Sequence, residues 1–419
     1  MQFFLGAGQP DIGRVPVHVR KGEHMRAIDE EEGVVYWYHA MDVRGGKERK
    51  ILASQFGDDY DAIPAYEQIY AGLKGVTEGA GGTARDAYNA HRPAFPMAGK
   101  TGSKVSIQYS GAPIELKYGH PSPPASVLVP VVQANLKRIA ESTHGKLLIK
   151  EYGSGSLFGA KDGFKGVRTG VGEWGVCYPT YEGRGMPLSR VWEQPFVTPS
   201  NPMAATRVAQ ELAAKYFVPE FKKQGVSWGN YVAFQPSDVL SKKPIRKIED
   251  LQGMKIGAQG FSPEIAKALG VALVNLPYPE LYTALQQGII DAVFWVDAGF
   301  VPFKLHEVAK YHTRLALTGG GAWTCYNTEA VTKLPPDLQQ VFMRGLEPFA
   351  MHSVKVSGVD FAVKAAEAYK AANVEMITLT PGELKRFKDK LQPLVDVWAE
   401  DLEKDKIPAR ALLKDIQAL

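Results

Sequence analysis

DLQGMKIGAQG, residues 250–260, is the stretch on which the fold turns. Asp-Leu-Gln-Gly reads as a turn and residues 254–258 as a short apolar strand. A glycine-rich exit follows, into a helix starting near Ser262. Strand ends of this kind are where α/β proteins hold ligands. Yet from Ile256 to Phe261 there is no charged side chain.

The alternation continues on the C-terminal side. Residues 262–269 read as a helix, 271–277 as a strand, 279–287 as a helix and 289–295 as a strand. An equivalent block lies upstream. Residues 115–120, 146–153 and 173–179 read as strands and 162–169 as a helix. Residues 127–142 form an amphipathic helix with Val131, Leu136 and Ile139 toward one face. Such βαβαβ alternation predicts a largely parallel sheet with helices on both faces. Two blocks predict two similar α/β lobes facing a cleft. Helical periodicity then dominates, and residues 335–373 read as one long helix with a break near Pro348. Pro335 and Pro336 suit its first turn.

Residues 1–75 read as a small α+β segment of unknown role, with strands at 15–19 and 34–43 and a helix at 62–73. Residues 76–113, rich in Gly and Ala with Pro93 and Pro96, read as a linker. His18, His24 and His39 lie near Asp29 and Asp42, but their spacing fits no compact metal-ligand motif.

Composition narrows the functional classes. A net charge of +4 over 419 residues, without a long basic run, argues against nucleic acid as a partner. No apolar run approaches the length of a membrane span. The two cysteines, Cys177 and Cys325, have no CxxC neighbour and read as two buried thiols rather than a disulfide or a nucleophile.

Several stretches then become recognisable in order. LKYGHPSPPAS, GKLLIKEYGSGSLFGAKDGFKGVRTG and GVCYPTYEGR precede the opening stretch, which runs on through DAVFW. KLPPDLQQVF and PGELKRFKDKLQPLVDVWAEDL follow. Collinear over about residues 114–419, they resemble the DctP-like extracytoplasmic solute-binding proteins of TRAP transporters. The first 113 residues have no counterpart. The resemblance implies a solute-binding domain at 114–419. Its first lobe covers about 114–238 plus the C-terminal helices, its second about 239–330, with a hinge and a long lobe-spanning helix. It implies hinge closure on a small organic solute, delivery to the membrane permease subunits of a TRAP transporter, a periplasmic location, and no enzyme chemistry or cofactor. The closing helix could support a homodimer.

In that family an arginine on the strand after the turn pairs with a solute carboxylate, a pairing that suits bidentate guanidinium geometry. Counting from Gly253, that position is Gly257. Lys255 would share its face. In the branch that binds keto acids with a metal ion, a glutamate precedes the tryptophan of the later strand. Here DAVFW places Phe294 there. One change removes a cation and the other an anion, and a carboxylate buried without a partner costs several kcal/mol. The expectation is a site with no metal and a neutral, aromatic or apolar ligand.

The candidate ligand-binding residues are then rings and amides at strand ends. They are Tyr118 and His120, Tyr178 and Tyr181, Asn230 and Tyr231 on the crossover with Trp228 and Phe234, Gln259 and Phe261, Trp295 and Asp297, and Trp323 after the glycine run. Asp291 reads as structural, capping local backbone.

No nucleophile elbow, HExxH motif or P-loop is present. Two other readings stay open: a ligand sensor for a membrane receptor, and an enzyme whose chemistry lies in the N-terminal segment. The start, MQFFLGAGQPDIGR, lacks the pattern of a secretory signal, so a periplasmic protein here implies an unusual or misassigned leader.

Overall fold

The computed structural model describes residues 105–419 apart from 125, 259, 260 and 277. Nearer the start it describes three strands, β1 (His24–Asp29), β2 (Val34–His39) and β3 (Arg49–Ala53). These pair antiparallel in the order β1-β2-β3. The other expectations for residues 1–104, including the strand at 15–19, the helix at 62–73 and the histidine–aspartate grouping, lie outside the described residues.

The main body contains two sheets. The first has the order β5-β4-β6-β13-β7, with β4 (Ile114–Gly119), β5 (Leu147–Tyr152), β6 (Trp174–Val176), β7 (Ser227–Ala233) and β13 (Gly321–Tyr326). The second has the order β10-β9-β11-β8-β12-β14. Its strands are β8 (Asp238–Ser241), β9 (Lys255–Ala258), β10 (Ala272–Val274), β11 (Ala292–Trp295), β12 (Tyr311–Arg314) and β14 (Glu375–Thr378). The alternating blocks give the parallel cores, β5-β4-β6 and β10-β9-β11. The sheets are nevertheless mixed. β13 runs antiparallel to β6 and β7, and β8 runs antiparallel to β11 and β12.

The mixing has one cause: the chain crosses between lobes and returns. β7 leaves the first sheet through residues 234–237 and enters the second as β8. β12 leaves the second through residues 315–320 and returns as β13. The two crossings hydrogen-bond to each other, Phe234 N to Gly320 O at 2.8 Å and Ser237 N to Thr318 O at 2.8 Å. Trp228, Asn230 and Tyr231 therefore lie on a strand, not on an irregular crossover. The second lobe ends near this crossing rather than at 330, because Gly321–Tyr326 pairs with the first sheet.

Two helical connections also span the lobes. Helix Pro336–Val354 packs Leu338, Val341, Phe342, Leu346 and Phe349 into the first lobe. Its continuation Phe361–Ala371 buries Ala365 and Tyr369 in the second. The break falls not at Pro348, which sits inside the helix, but at the π-helical turn Lys355–Asp360. A π-turn loosens the ordinary ladder, and Gln235 Nε2 donates to Gly358 O there at 3.0 Å. Helix Pro381–Lys404 buries Phe387 and Leu391 in the second lobe and Ala399 in the first. The C-terminal helices thus divide between the lobes.

Residues 105–109, read from sequence as linker, pack on the first lobe. Val105, Ile107 and Tyr109 meet its core, and the Gln108 and Tyr109 N–H groups donate to Asp337 Oδ2 at 2.6 and 2.8 Å.

Cys177 and Cys325 are not free thiols. They form a disulfide, with Cα atoms 5.8 Å apart and a sequence separation of 148. The register brings them together: Cys325 pairs with Gly175, and Cys177 N donates to Trp323 O at 2.8 Å.

Candidate functional site

The opening stretch folds as its composition dictates. Gly253 takes φ +73°, a left-handed turn that glycine enters without strain. Ser262 caps the following helix, its Oγ accepting from Ile265 N at 3.2 Å, and Pro263 occupies the first turn. Asp291 Oδ2 accepts from Lys255 N at 2.8 Å, holding the start of β9. The Lys255 side chain is exposed at that amino end.

Gly257 is buried, and its missing side chain has a definite direction. A Cβ there would lie 2.7 Å from Leu281 Cδ2 and 2.9 Å from Ile290 Cδ1. Both side chains are fully buried in one apolar layer of the second lobe. An arginine at 257 would leave the backbone into that layer. On the opposite face, Phe294 is fully buried and stacks on Phe261, ring centroids 4.5 Å apart. Among the described residues, no group of three or more His, Cys, Asp or Glu side chains is arranged to hold a metal ion.

The other residues singled out from sequence divide into two sets. Five are committed to the interior. Tyr118 is 1% exposed, with its ring 4.6 Å from Trp174 and 6.0 Å from Phe349. Burial, reinforced by Tyr178 and Glu151 nearby, pushes its phenol well above the ordinary range, so it stays neutral. Asn230 spends its side chain on structure: Nδ2 donates to Leu346 O at 2.7 Å, and Oδ1 accepts from Thr324 Oγ1 at 3.0 Å. Tyr231 stacks on Trp192 and meets Trp323 at a tilt, centroids 5.7 and 4.4 Å away. Trp323 also meets Phe217 at 5.2 Å. Asp297 is buried and accepts from the Tyr369 hydroxyl at 2.6 Å.

Four others are partly or largely exposed at carboxyl ends of strands. Tyr178 and Tyr181 follow β6 and meet edge to face, centroids 6.2 Å apart. Phe261 follows β9, and Trp295 ends β11. The Trp295 ring lies against Gly299, where any Cβ would collide with the indole, and beside Phe303 at 5.5 Å. Gln259 lies outside the described residues. His120 stands apart: it is 2% exposed, and its Nε2 lies 2.8 Å from Glu151 Oε1.

Sequence reasoning passed over Glu151. The signal was present: in LLIKEY it shares the strand parity of Leu147 and Ile149, which places an acid on the inward face. It also missed a polar knot beside the hinge. Asp238 Oδ1 accepts from Leu315 N and Ala316 N at 2.7 and 2.8 Å, and His312 Nε2 lies 3.4 Å from Asp238 Oδ2. Burial raises the Asp238 carboxyl, but His312 and the Ala316 N–H outweigh it and hold the group below its ordinary value. These contacts span some seventy residues of sequence and leave no local pattern.

Taken together, the geometry is that of a two-lobed hinge protein. It carries rings at strand ends, no arginine at the expected position, and a buried histidine with one carboxylate partner. Known proteins share the architecture. A solved TRAP periplasmic solute-binding protein from Desulfovibrio salexigens superposes with a TM-score of 0.67 at 25% identity, covering 73% of this chain and 95% of that one. Its ligand site holds the C-terminus of a symmetry mate. A TRAP solute-binding protein from Rhodoferax ferrireducens, in complex with copurified benzoate, gives 0.64 at 22% identity, covering 73% and 97%. A solute-binding protein from Albidiferax ferrireducens is 28% identical over 225 residues, covering 49% of this chain and 62% of that one. The chain spans between 58% and 64% of the length of the curated relatives it matches first. Residues 118–401 match the model of the bacterial extracellular solute-binding proteins of family 7, and the chain belongs to that family.

Proposed function

We propose that this protein is the extracytoplasmic solute-binding component of a TRAP-type transporter. It captures a small organic solute between its lobes and delivers it to membrane permease subunits. The observation that carries the reading is the pair of hydrogen-bonded strand crossings, with the π-turn beside them, between two complete α/β lobes. The crossings are short segments between the sheets, where backbone rotation can swing one lobe against the other, and a solute touching both stabilises the closed state by its differential affinity. The disulfide supports a periplasmic location, since such bonds persist in oxidising compartments. Among the described residues no helix is long and apolar enough to cross a membrane.

The solute contacts fall to Tyr178, Tyr181, Phe261 and Trp295, with His120 as the polar group. Gly257 faces an apolar layer and Phe294 is buried, so neither the family's cation nor its metal-binding acid is offered from those positions. A neutral aromatic or apolar solute fits this chemistry. The ring of the benzoate in the Rhodoferax protein is the part such side chains would share.

A thermal-shift screen across organic acids, sugars, neutral aromatics and lipidic compounds tests the reading, because stabilisation grows with ligand concentration over Kd. Neutral aromatics are expected to raise Tm most. Trp295→Ala is expected to weaken their binding by about 1–3 kcal/mol. A response confined to small carboxylates would overturn the neutral class, and unchanged affinity in Trp295→Ala would remove that residue from the site.

A further inference from the structure

His120 lies just past the carboxyl end of β4, and Glu151 lies on the neighbouring parallel strand β5. An ionised carboxylate can only accept, so the 2.8 Å contact from Nε2 to Glu151 Oε1 places the hydrogen on Nε2. The other ring nitrogen, Nδ1, is buried and meets no hydrogen-bond partner among the described residues. A buried acceptor left without a partner forfeits the hydrogen bond it would make in water. The pair sits where three parallel strands, β5, β4 and β6, end together. The Tyr118 ring is 5.8 Å from the imidazole, and Tyr178 and Glu151 both act on the Tyr118 phenol. On β5, Lys150 and Tyr152 alternate to the other face of the strand. Tyr118 and Tyr178 accompany the pair from β4 and from beyond β6, and Glu115, Lys137 and Lys150 line the same hollow as Glu151.

We infer that His120, fixed by Glu151 in the tautomer whose Nδ1 is bare, is the acceptor that selects a solute bearing a hydroxyl or N–H donor. The inference rests on the solute-binding reading proposed above and names its substrate class. A carboxylate brought to Nδ1 would meet a lone pair with the Glu151 charge behind it, and both repel it. A donor-bearing neutral solute satisfies the orphaned nitrogen and leaves the net charge unchanged. Glu151 is then a positioning residue, because it sets the tautomer without meeting the solute.

The test uses the full chain labelled with 15N-histidine. Long-range proton–nitrogen spectra report each ring's tautomer, and His120→Asn assigns the resonance among the nine histidines. At neutral pH the Nε2-protonated form is expected. The Nδ1 resonance should move on titration with benzyl alcohol or benzamide, and not with anisole, which has no donor. Benzyl alcohol affinity should fall about tenfold in His120→Phe. It should fall likewise once acid protonates the ring, because protonation removes the lone pair. His120→Asn, which keeps an acceptor oxygen near the Nδ1 position, should retain affinity and lose the pH dependence. Glu151→Gln should shift the tautomer balance.

An Nδ1-protonated ring or an imidazolium at neutral pH overturns the inference, as does a resonance that no donor-bearing probe moves. If benzoate alone moves it and binds more tightly as pH falls, the ring is a substitute cation; the donor class fails while the solute-binding reading stands. Failure of that reading is seen separately, as absence of lobe closure in small-angle scattering with every compound of the screen.

Discussion

Phe261 stacks on Phe294 with ring centroids 4.5 Å apart and planes 24° from parallel. The pair closes off the position where the resemblance places a metal-binding glutamate, and does so with an apolar layer continuous with Ile256 and Leu269. On the other face of the sheet Gly257 is roofed by Leu281 and Ile290. The two departures from the family pattern are thus both built into packed interior.

An arginine restored at the family's position would meet that packing. A side chain at 257 must displace two buried aliphatic groups. Gly257→Ala is expected to cost about 1–3 kcal/mol by overpacking. Gly257→Arg should cost more and should give no gain in benzoate binding. Urea denaturation and calorimetry with benzoate check both, and a tighter benzoate complex would show that the arginine finds a way out to the cleft.

The disulfide closes a long loop and ties β6 to β13 inside the first sheet. Chain-entropy arguments give about 5 kcal/mol for a loop of that length, and measured values commonly fall short of such figures. Cys177→Ala/Cys325→Ala, or reduction of the native protein, should lower the denaturant midpoint. Because Tyr178 follows Cys177 directly, solute affinity should weaken as well. Equal stability of the oxidised and reduced forms would argue against the bond.

Asp238 makes stability depend on acid. Its folded carboxyl lies below the ordinary value of 3.8, because His312 and the Ala316 N–H outweigh burial. Its contribution is therefore complete above that value and is lost as pH falls through the lower folded one. Asp238→Asn should cost about 1–3 kcal/mol at neutral pH and flatten the steepest part of the acid limb. Unfolding curves at a series of pH values test this.

His352 acts in a higher window. Burial, then the charges of Arg138 and Lys355, pull its imidazole from 6.5 down to about 4. Between those values the unfolded chain binds a proton that the folded chain refuses, so stability declines as pH falls from 6.5 toward 4. With the group partly exposed and screened, the effect should be about 1–2 kcal/mol. His352→Gln should remove that slope while leaving the Asp238 limb in place.

The sequence by itself determined the local elements and the family. The turn at Gly253, the Ser262 cap, the two parallel cores and the long C-terminal helices all follow from periodicity and turn chemistry that neighbouring residues carry. Asp291 was legible for the same reason, as an acid beside a strand start with a backbone donor to hold. The tertiary structure alone decided the return crossing that makes both sheets mixed, the pairing of Cys177 with Cys325, and the inward turn of Tyr231 and Trp323. It also joined His120 to Glu151. Each of these depends on strand register between segments 31 to 148 residues apart, and a one-residue change of register would send the same side chains to the opposite face. Local composition says which side chains will be buried; only the pairing of distant strands says against what.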